Sequence, residues 1–216
     1  QIVTGDTKVV DRVKADKLYI NTSGIGLMEP AFKDPSYSDN LKPGDKIIVN
    51  GTLGDHGVAI MAERENLGIT SKLKSDCASL NHLIRHVLTS HNGIKVMRDL
   101  TRGGLATILC ELVAGKEDGM IIEENQVPVK EDVRGVCEIL GLEPIYIANE
   151  GKVLMVVDPQ EAEAVLDTLN RNPLGADAAI IGEVVAENGG KVIMNTEIGG
   201  SRIIEMLAGE QLPRIC

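Results

Sequence analysis

The chain has 216 residues, with 32 Asp+Glu against 22 Lys+Arg and a formal net charge of −10. Hydrophobic residues make up 43%, enough for a buried core, which excludes a disordered chain. Aromatic residues are only 2%, so together with the acidic balance a nucleic-acid surface of stacking rings and phosphate-binding cations is excluded. No run of about 18 apolar residues offers a bilayer span. The four cysteines, Cys77, Cys110, Cys137 and Cys216, include no C-x-x-C pair. The expectation is a cytoplasmic protein with reduced thiols.

In chain order, Gln1-Ile2-Val3 reads as a strand that the sequence enters partway, so a piece of a longer protein is expected. Gly5-Asp6-Thr7 breaks it, and Leu18-Tyr19-Ile20 begins a second apolar stretch. Residues 28–45, with Pro30, Pro35 and Pro43, read as a linker and domain boundary. A strand over 46–49 follows, then the glycine loop Gly51-Thr52-Leu53-Gly54-Asp55-His56-Gly57 and a helix over 58–66. Leu80, Leu83, Ile84, Val87 and Leu88 have the spacing of one helical face. A strand over 94–97 leads into Arg98-Asp99-Leu100-Thr101-Arg102-Gly103-Gly104. The helical spacing then recurs at Leu105, Ile108, Leu109, Leu112 and Val113.

Val133, Val136, Cys137 and Leu140 mark a third helix. Residues 145–157 read as a long β-type run broken by Asn149-Glu150-Gly151-Lys152. Asp158-Pro159 with Glu161 reads as a helix start, with Pro at the first helical position. Residues 178–185 and 191–194 read as a hairpin closed by Asn188-Gly189-Gly190. Strands and helices are mixed throughout, so the class is α/β or α+β.

Candidate chemistry gathers at the glycine loops. In the 98–104 loop, a helix N-terminus offers free N–H groups, glycines permit close approach, and Arg98 and Arg102 supply cations for an anion. The alternative is an ordinary strand-to-helix turn capped by Thr101. Asp6 and Lys8, two residues apart, suit a Mg²⁺ ligand and a phosphate-neutralising ammonium, or simply turn the chain. Glu150 and Lys152 face either a site or solvent. His82 and His86 have metal-pair spacing, yet they fall opposite the apolar stripe, which points to solvent. His56 reads as a loop histidine bonded to nearby backbone. Cys137 and Cys110 read as small core residues. Cys216, last in a Pro-containing tail, suits a tethered carrier thiol or is incidental.

Gly5-Asp6-Thr7-Lys8-Val9-Val10, the 51–57 and 98–104 loops, Ala148-Asn149-Glu150-Gly151-Lys152 and the terminal Pro213-Arg214-Ile215-Cys216 together resemble the HypE family. These are hydrogenase expression/formation proteins of the aminoimidazole ribonucleotide synthetase (PurM-like) superfamily. The resemblance implies a PurM-like C-terminal domain over 28–210 and a tail over 211–216. Residues 1–27 would be the last strands of an N-terminal ATP-binding domain that dimerises.

The activity it implies is [NiFe]-hydrogenase maturation. The partner HypF carbamoylates the terminal cysteine, here Cys216. ATP with Mg²⁺ then drives dehydration to a thiocyanate, and the HypC–HypD complex accepts the cyanide. Within that scheme Lys8 is the candidate cation, Asp6 the Mg²⁺ ligand and Glu150 the base. Gly5, Thr7, Arg98, Asp99, Thr101 and Arg102 complete the nucleotide site. With most of the N-terminal domain missing, this chain alone is expected to be inactive. The alternatives are a docking module that presents Cys216, or a selenophosphate synthetase or thiamine-monophosphate kinase relative, both of which lack the terminal cysteine.

Overall fold

The computed structural model describes residues 2–11, 14, 19–27, 38–64 and 73–209. Second from one edge of its seven-stranded sheet is β4 (Val153–Val157), five apolar residues that are all buried. Side chains alternate along a strand, so burial throughout means that both sheet faces are covered. Val153, Met155 and Val157 pack beneath α2 (Asn81–Ser90) and α5 (Ala162–Asn170). Leu154 and Val156 pack on the other face, beneath α3 (Gly104–Val113).

The strand order is β2-β4-β1-β5-β3-β6-β7, where β1 is Lys46–Val49, β2 Ile94–Asp99 and β3 Gly119–Glu123. The remaining strands are β5 (Ala179–Val185), β6 (Val192–Asn195) and β7 (Ser201–Ile204). All pairings are antiparallel except β3 with β6. A register shift between Ile94 and Val96 sends these two residues to opposite faces, which strict alternation would not do. A third apolar cluster joins α1 (Asp55–Arg64) to α4 (Glu131–Leu140) through Val58, Met61, Val133 and Cys137.

The mixed α/β class is borne out, as are the helical faces of α2 and α3. Several sequence expectations are corrected. β5 and β6 form no hairpin, because β3, about 60 residues upstream of β5, lies between them. Of the 145–157 run only Val153–Val157 is strand, and Pro144–Tyr146 is a 3-10 turn. The proline restricts that segment, and its apolar side chains bury without entering the sheet. Helix α5 begins at Ala162, not at Pro159. The Asp158 carboxylate instead accepts the Gln160 N–H at 3.0 Å and closes a turn before the helix. Helix α1 begins at Asp55, inside the predicted loop, because Gly54 at φ 85° turns the chain earlier. Leu140 leaves the α4 apolar face and is exposed.

The strands expected near Ile2-Val3 and Tyr19-Ile20 do not form. Residues 2–11 and 19–27 are exposed and carry neither helix nor strand. Strands persist only where a neighbour pairs their backbone, and no described strand runs beside these residues. Gln1, Leu18 and the 28–37 part of the expected linker lie outside the described residues, as does the whole of the expected 211–216 tail.

Cys137 is 1% exposed, and burial pushes its thiol from the ordinary 9.0 up to about 11. The unfolded thiol ionises at lower pH than the folded one, so stability holds below pH 9 and falls as pH rises toward 11. Denaturant unfolding at pH 8 and 10.5 should differ by about 2 kcal/mol from this group. The Cys137→Ala variant should lose that part of the pH dependence.

Candidate functional site

At one end of the sheet, β1 and β2 end where β4 begins. Val49 stands opposite Leu154, and Asp99 opposite Val153. The loops leaving these strands must therefore meet, and two buried asparagines tie them together. Asn50 follows β1; its Oδ1 accepts the Val153 N–H at 2.8 Å. Its amide donates to the carbonyls of Leu174 at 2.8 Å and Gly151 at 3.3 Å.

Asn149, 1% exposed, joins three loops. Its Oδ1 accepts the Gly54 N–H at 2.9 Å. Its amide donates to the Leu100 and Ile147 carbonyls, both at 3.0 Å. Backbone bonds from Asn149 N–H to the Leu100 carbonyl and from Leu100 N–H to the Lys152 carbonyl complete the join.

The helix N-terminus in this join is shaped by glycine. Gly103 and Gly104 have φ of 73° and 58°, in the left-handed region that disfavours side chains. A Cβ on Gly104 would lie 2.5 Å from the Ile145 carbonyl oxygen. The close approach seats α3 against the Pro144–Tyr146 turn.

Beside this junction a cleft of about 340 Å³ is lined by Asn50, Thr52, Asp55, Asp76, Lys130 and Lys152, among others. Asp55 is buried; its Oδ2 accepts from the Thr52 hydroxyl at 2.6 Å and pairs with Lys130 Nζ at 2.8 Å. Asp76 Oδ1 accepts the Glu150 N–H at 3.0 Å, and Oδ2 lies 3.0 Å from Lys152 Nζ. His56 is buried in the first turn of α1, with Nδ1 2.9 Å from Ser75 Oγ. It stands in helix α1, where a loop position was expected.

Among the predicted site residues, the structure brings Asp99, Thr101 and Glu150 to this junction. Glu150 is half-buried, next to the cleft-lining Gly151 and Lys152. Thr101 does not cap α3. Its hydroxyl donates to Asp99 Oδ2 at 2.7 Å, and Gly103 occupies the N-cap position. Arg98 pairs with Glu111 of α3 at 2.9 Å, while Arg102 is exposed.

Gly5, Asp6, Thr7 and Lys8 are exposed, and the Thr7 N–H donates to Asp6 Oδ1 at 2.8 Å. No hydrogen bond or ion pair links these four to the sheet domain among the described residues. Cys216 lies outside the described residues. His82 and His86 are both exposed, and no group of three metal-binding side chains occurs among the described residues.

Sequence reasoning missed Asn50, Asp76 and Lys130, and took Asn149 only as part of a motif. Asn149 carried a usable signal, as a polar residue at the break of an apolar run. Asp76 carried none, since its partners lie 74 and 76 residues away.

The profile of a family described as AIR synthase related protein, C-terminal domain, matches residues 42–195. The chain belongs to that family. It is 49% identical to the carbamoyl dehydratase HypE of Rhodobacter capsulatus over all 216 residues, 63% of that relative's length. It thus spans less than two thirds of the curated relative.

Among solved structures, it is similar to the hydrogenase maturation protein HypE, with a TM-score of 0.80 and 43% identity over 85% of this chain and 60% of that one. HypE in complex with ATP gives 0.78 and 42%, over 84% and 55%. HypE in a HypE–HypF complex gives 0.74 and 43%, over 79% and 55%. The PurM-like fold expected from the resemblance is borne out. Among the described residues no helix is long and apolar enough to cross a membrane.

Proposed function

We propose that this chain is the C-terminal part of a hydrogenase maturation protein that dehydrates a carbamoylated cysteine, Cys216, to a thiocyanate at the expense of ATP. One observation carries this reading. The Glu150 backbone is fixed by Asp76 at the junction of three loops, while no hydrogen bond or ion pair among the described residues engages its carboxylate. A carboxylate whose backbone is anchored and which has no cationic partner is suited to accept protons. The 49% identity to a carbamoyl dehydratase supplies the reaction class.

In the reaction the carbamoyl oxygen takes the terminal phosphoryl group of ATP, because oxygen leaves poorly from an amide otherwise. The C–O bond then breaks with loss of phosphate, both N–H protons depart, and a C≡N group remains on sulfur. ADP and phosphate are the other products. Glu150 accepts a proton in this sequence, and Cys216 is the carrier. Lys8 neutralises phosphate oxygens; Gly5, Thr7, Arg98, Asp99, Thr101 and Arg102 line the nucleotide site.

The relative solved with ATP supports nucleotide binding. Mg²⁺, when bound, would offset phosphate charge. Asp6 suits it as a single carboxylate ligand, since Mg²⁺ in such sites commonly takes one or two carboxylates and completes its shell with phosphates and water. HypF as carbamoyl donor is supported by the HypE–HypF complex, and HypC–HypD is the proposed acceptor of cyanide. The full-length protein is proposed to be a cytoplasmic homodimer.

The test is mass spectrometry of the C-terminal peptide of the full-length protein, given HypF, carbamoyl phosphate and ATP. The peptide should gain a carbamoyl group and then lose one water. Glu150→Gln should slow the water loss by about 100-fold or more while the carbamoyl adduct still forms. Dehydration at the wild-type rate in that variant would refute the reading.

A second reading, a docking module that presents Cys216 to partners, is favoured for the 216-residue chain alone. Its Asp6 and Lys8 make no hydrogen bond or ion pair with the sheet domain among the described residues. That chain should retain HypF in a pull-down yet bind ATP far more weakly than the full-length protein in calorimetry.

A further inference from the structure

Residues 73–80 carry neither helix nor strand, yet they lie across the loop that holds Glu150. Their grip is specific. Asp76 Oδ1 accepts the Glu150 N–H at 3.0 Å, and Asp76 Oδ2 lies 3.0 Å from Lys152 Nζ. The two side chains of that ion pair are only 4% and 10% exposed. A pair so withdrawn from water is costly to break from one side, because the remaining charge stays buried.

The backbone is equally close: a Cβ on Gly151 would fall 2.0 Å from the Asp76 carbonyl oxygen. Only glycine lets the segment lie this near. The neighbouring Ser75 fastens the same segment to α1, with its Oγ 2.9 Å from His56 Nδ1 and accepting the Cys77 N–H at 3.1 Å. Residues on both sides of Gly151 are thus held by one side chain.

We propose that Asp76 is a positioning residue for Glu150, fixing its backbone through the N–H bond and the flanking Lys152 pair so that its carboxylate is aimed at the carbamoyl group. This rests on the reading of Glu150 as the base. Displacing a reacting group by about 1 Å can cost on the order of 100-fold in rate, so a backbone clamp next to the base has leverage on turnover without touching substrate.

Three variants of the full-length protein separate the parts. Asp76→Ala removes the acceptor, Asp76→Asn keeps it without the charge, and Asp76→Glu keeps the charge but moves the acceptor outward. Single-turnover dehydration should fall about 10-fold or more in Asp76→Ala and Asp76→Glu and by less than either in Asp76→Asn, which keeps the N–H acceptor but gives up the Lys152 pair. ATP affinity should be unchanged in all three, because the residue acts on the chemical step.

Amide hydrogen exchange of the peptide containing Glu150 gives a readout independent of activity. It should quicken about 10-fold in Asp76→Ala and remain protected in Asp76→Asn. Unchanged exchange in Asp76→Ala, or equal rates for Asp76→Asn and Asp76→Ala, would overturn the proposal. Should Asp76→Ala fail to fold, the order of Asp76→Asn above Asp76→Glu decides. A Glu150→Gln control keeps the two ideas apart. If it dehydrates normally, the base reading fails; if it is inactive while every Asp76 variant is normal, the clamp alone fails.

Discussion

Asn149→Ala is expected to lower the unfolding free energy by about 3 kcal/mol and to abolish turnover in the full-length protein. Its amide is 1% exposed and makes three hydrogen bonds, to Gly54, Leu100 and Ile147. Alanine leaves the Gly54 N–H without that acceptor and removes one donor from each of two carbonyls. An unsatisfied buried polar group costs about 1–3 kcal/mol, so the N–H supplies much of the loss. The methyl group also leaves a void where the loops meet, and the loss of packing adds to it.

The effect should exceed stability. Asn149 precedes Glu150 directly and is bonded to the loops after β1 and β2, so its loss frees all three. Denaturant unfolding measures the first effect and the thiocyanate assay the second. In a chain of this size the expected loss corresponds to a melting-temperature drop of about 6–12 °C. A drop under about 1 °C would mean that the backbone bonds alone hold the junction.

Gly104→Ala is expected to destabilise by a similar amount, for a different reason. The residue sits at φ 58°, where a side chain itself costs about 1–2 kcal/mol. The new Cβ would also lie 2.5 Å from the Ile145 carbonyl and 2.7 Å from the Ile147 carbonyl, and backbone has little freedom to retreat. Relief of such overpacking typically costs about 1–3 kcal/mol, giving about 3 kcal/mol in total. Helix α3 must then lift from the 144–147 segment, which carries the Ile147 carbonyl that Asn149 binds. Circular dichroism should report a cooperative fold with a lower midpoint. Gly135→Ala, at a helical glycine with open space around its Cβ position, is the matched control and should be neutral or stabilising.

Both predictions concern positions where sequence and structure carry different information. The helices were legible because burial has a period. Leu105, Ile108, Leu109, Leu112 and Val113 keep one face inward, and all five are buried. β4 was legible as an unbroken apolar run, which two-sided burial requires. Glu150 stood out because a charge interrupts such a run only at an end or a site. The hairpin reading failed on the same local logic. Asn188-Gly189-Gly190 does make a tight turn, with Asn188 at φ 61°, but β5 and β6 pair with β3 instead of each other.

The sequence by itself therefore determined the class of the fold, the helical faces, the buried strand β4 and the polar break at Glu150. Each of these depends on residues close together in the chain. Tertiary structure alone decided the strand order, the meeting of three loops at Asn149, the pairing of Asp55 with Lys130, and the clamp of Asp76 on Glu150. The long-range bonds among these join residues 49 to 95 positions apart, and no local pattern encodes which distant donor an acceptor will meet. What selects them is the requirement that buried polar groups find partners once the apolar faces have closed.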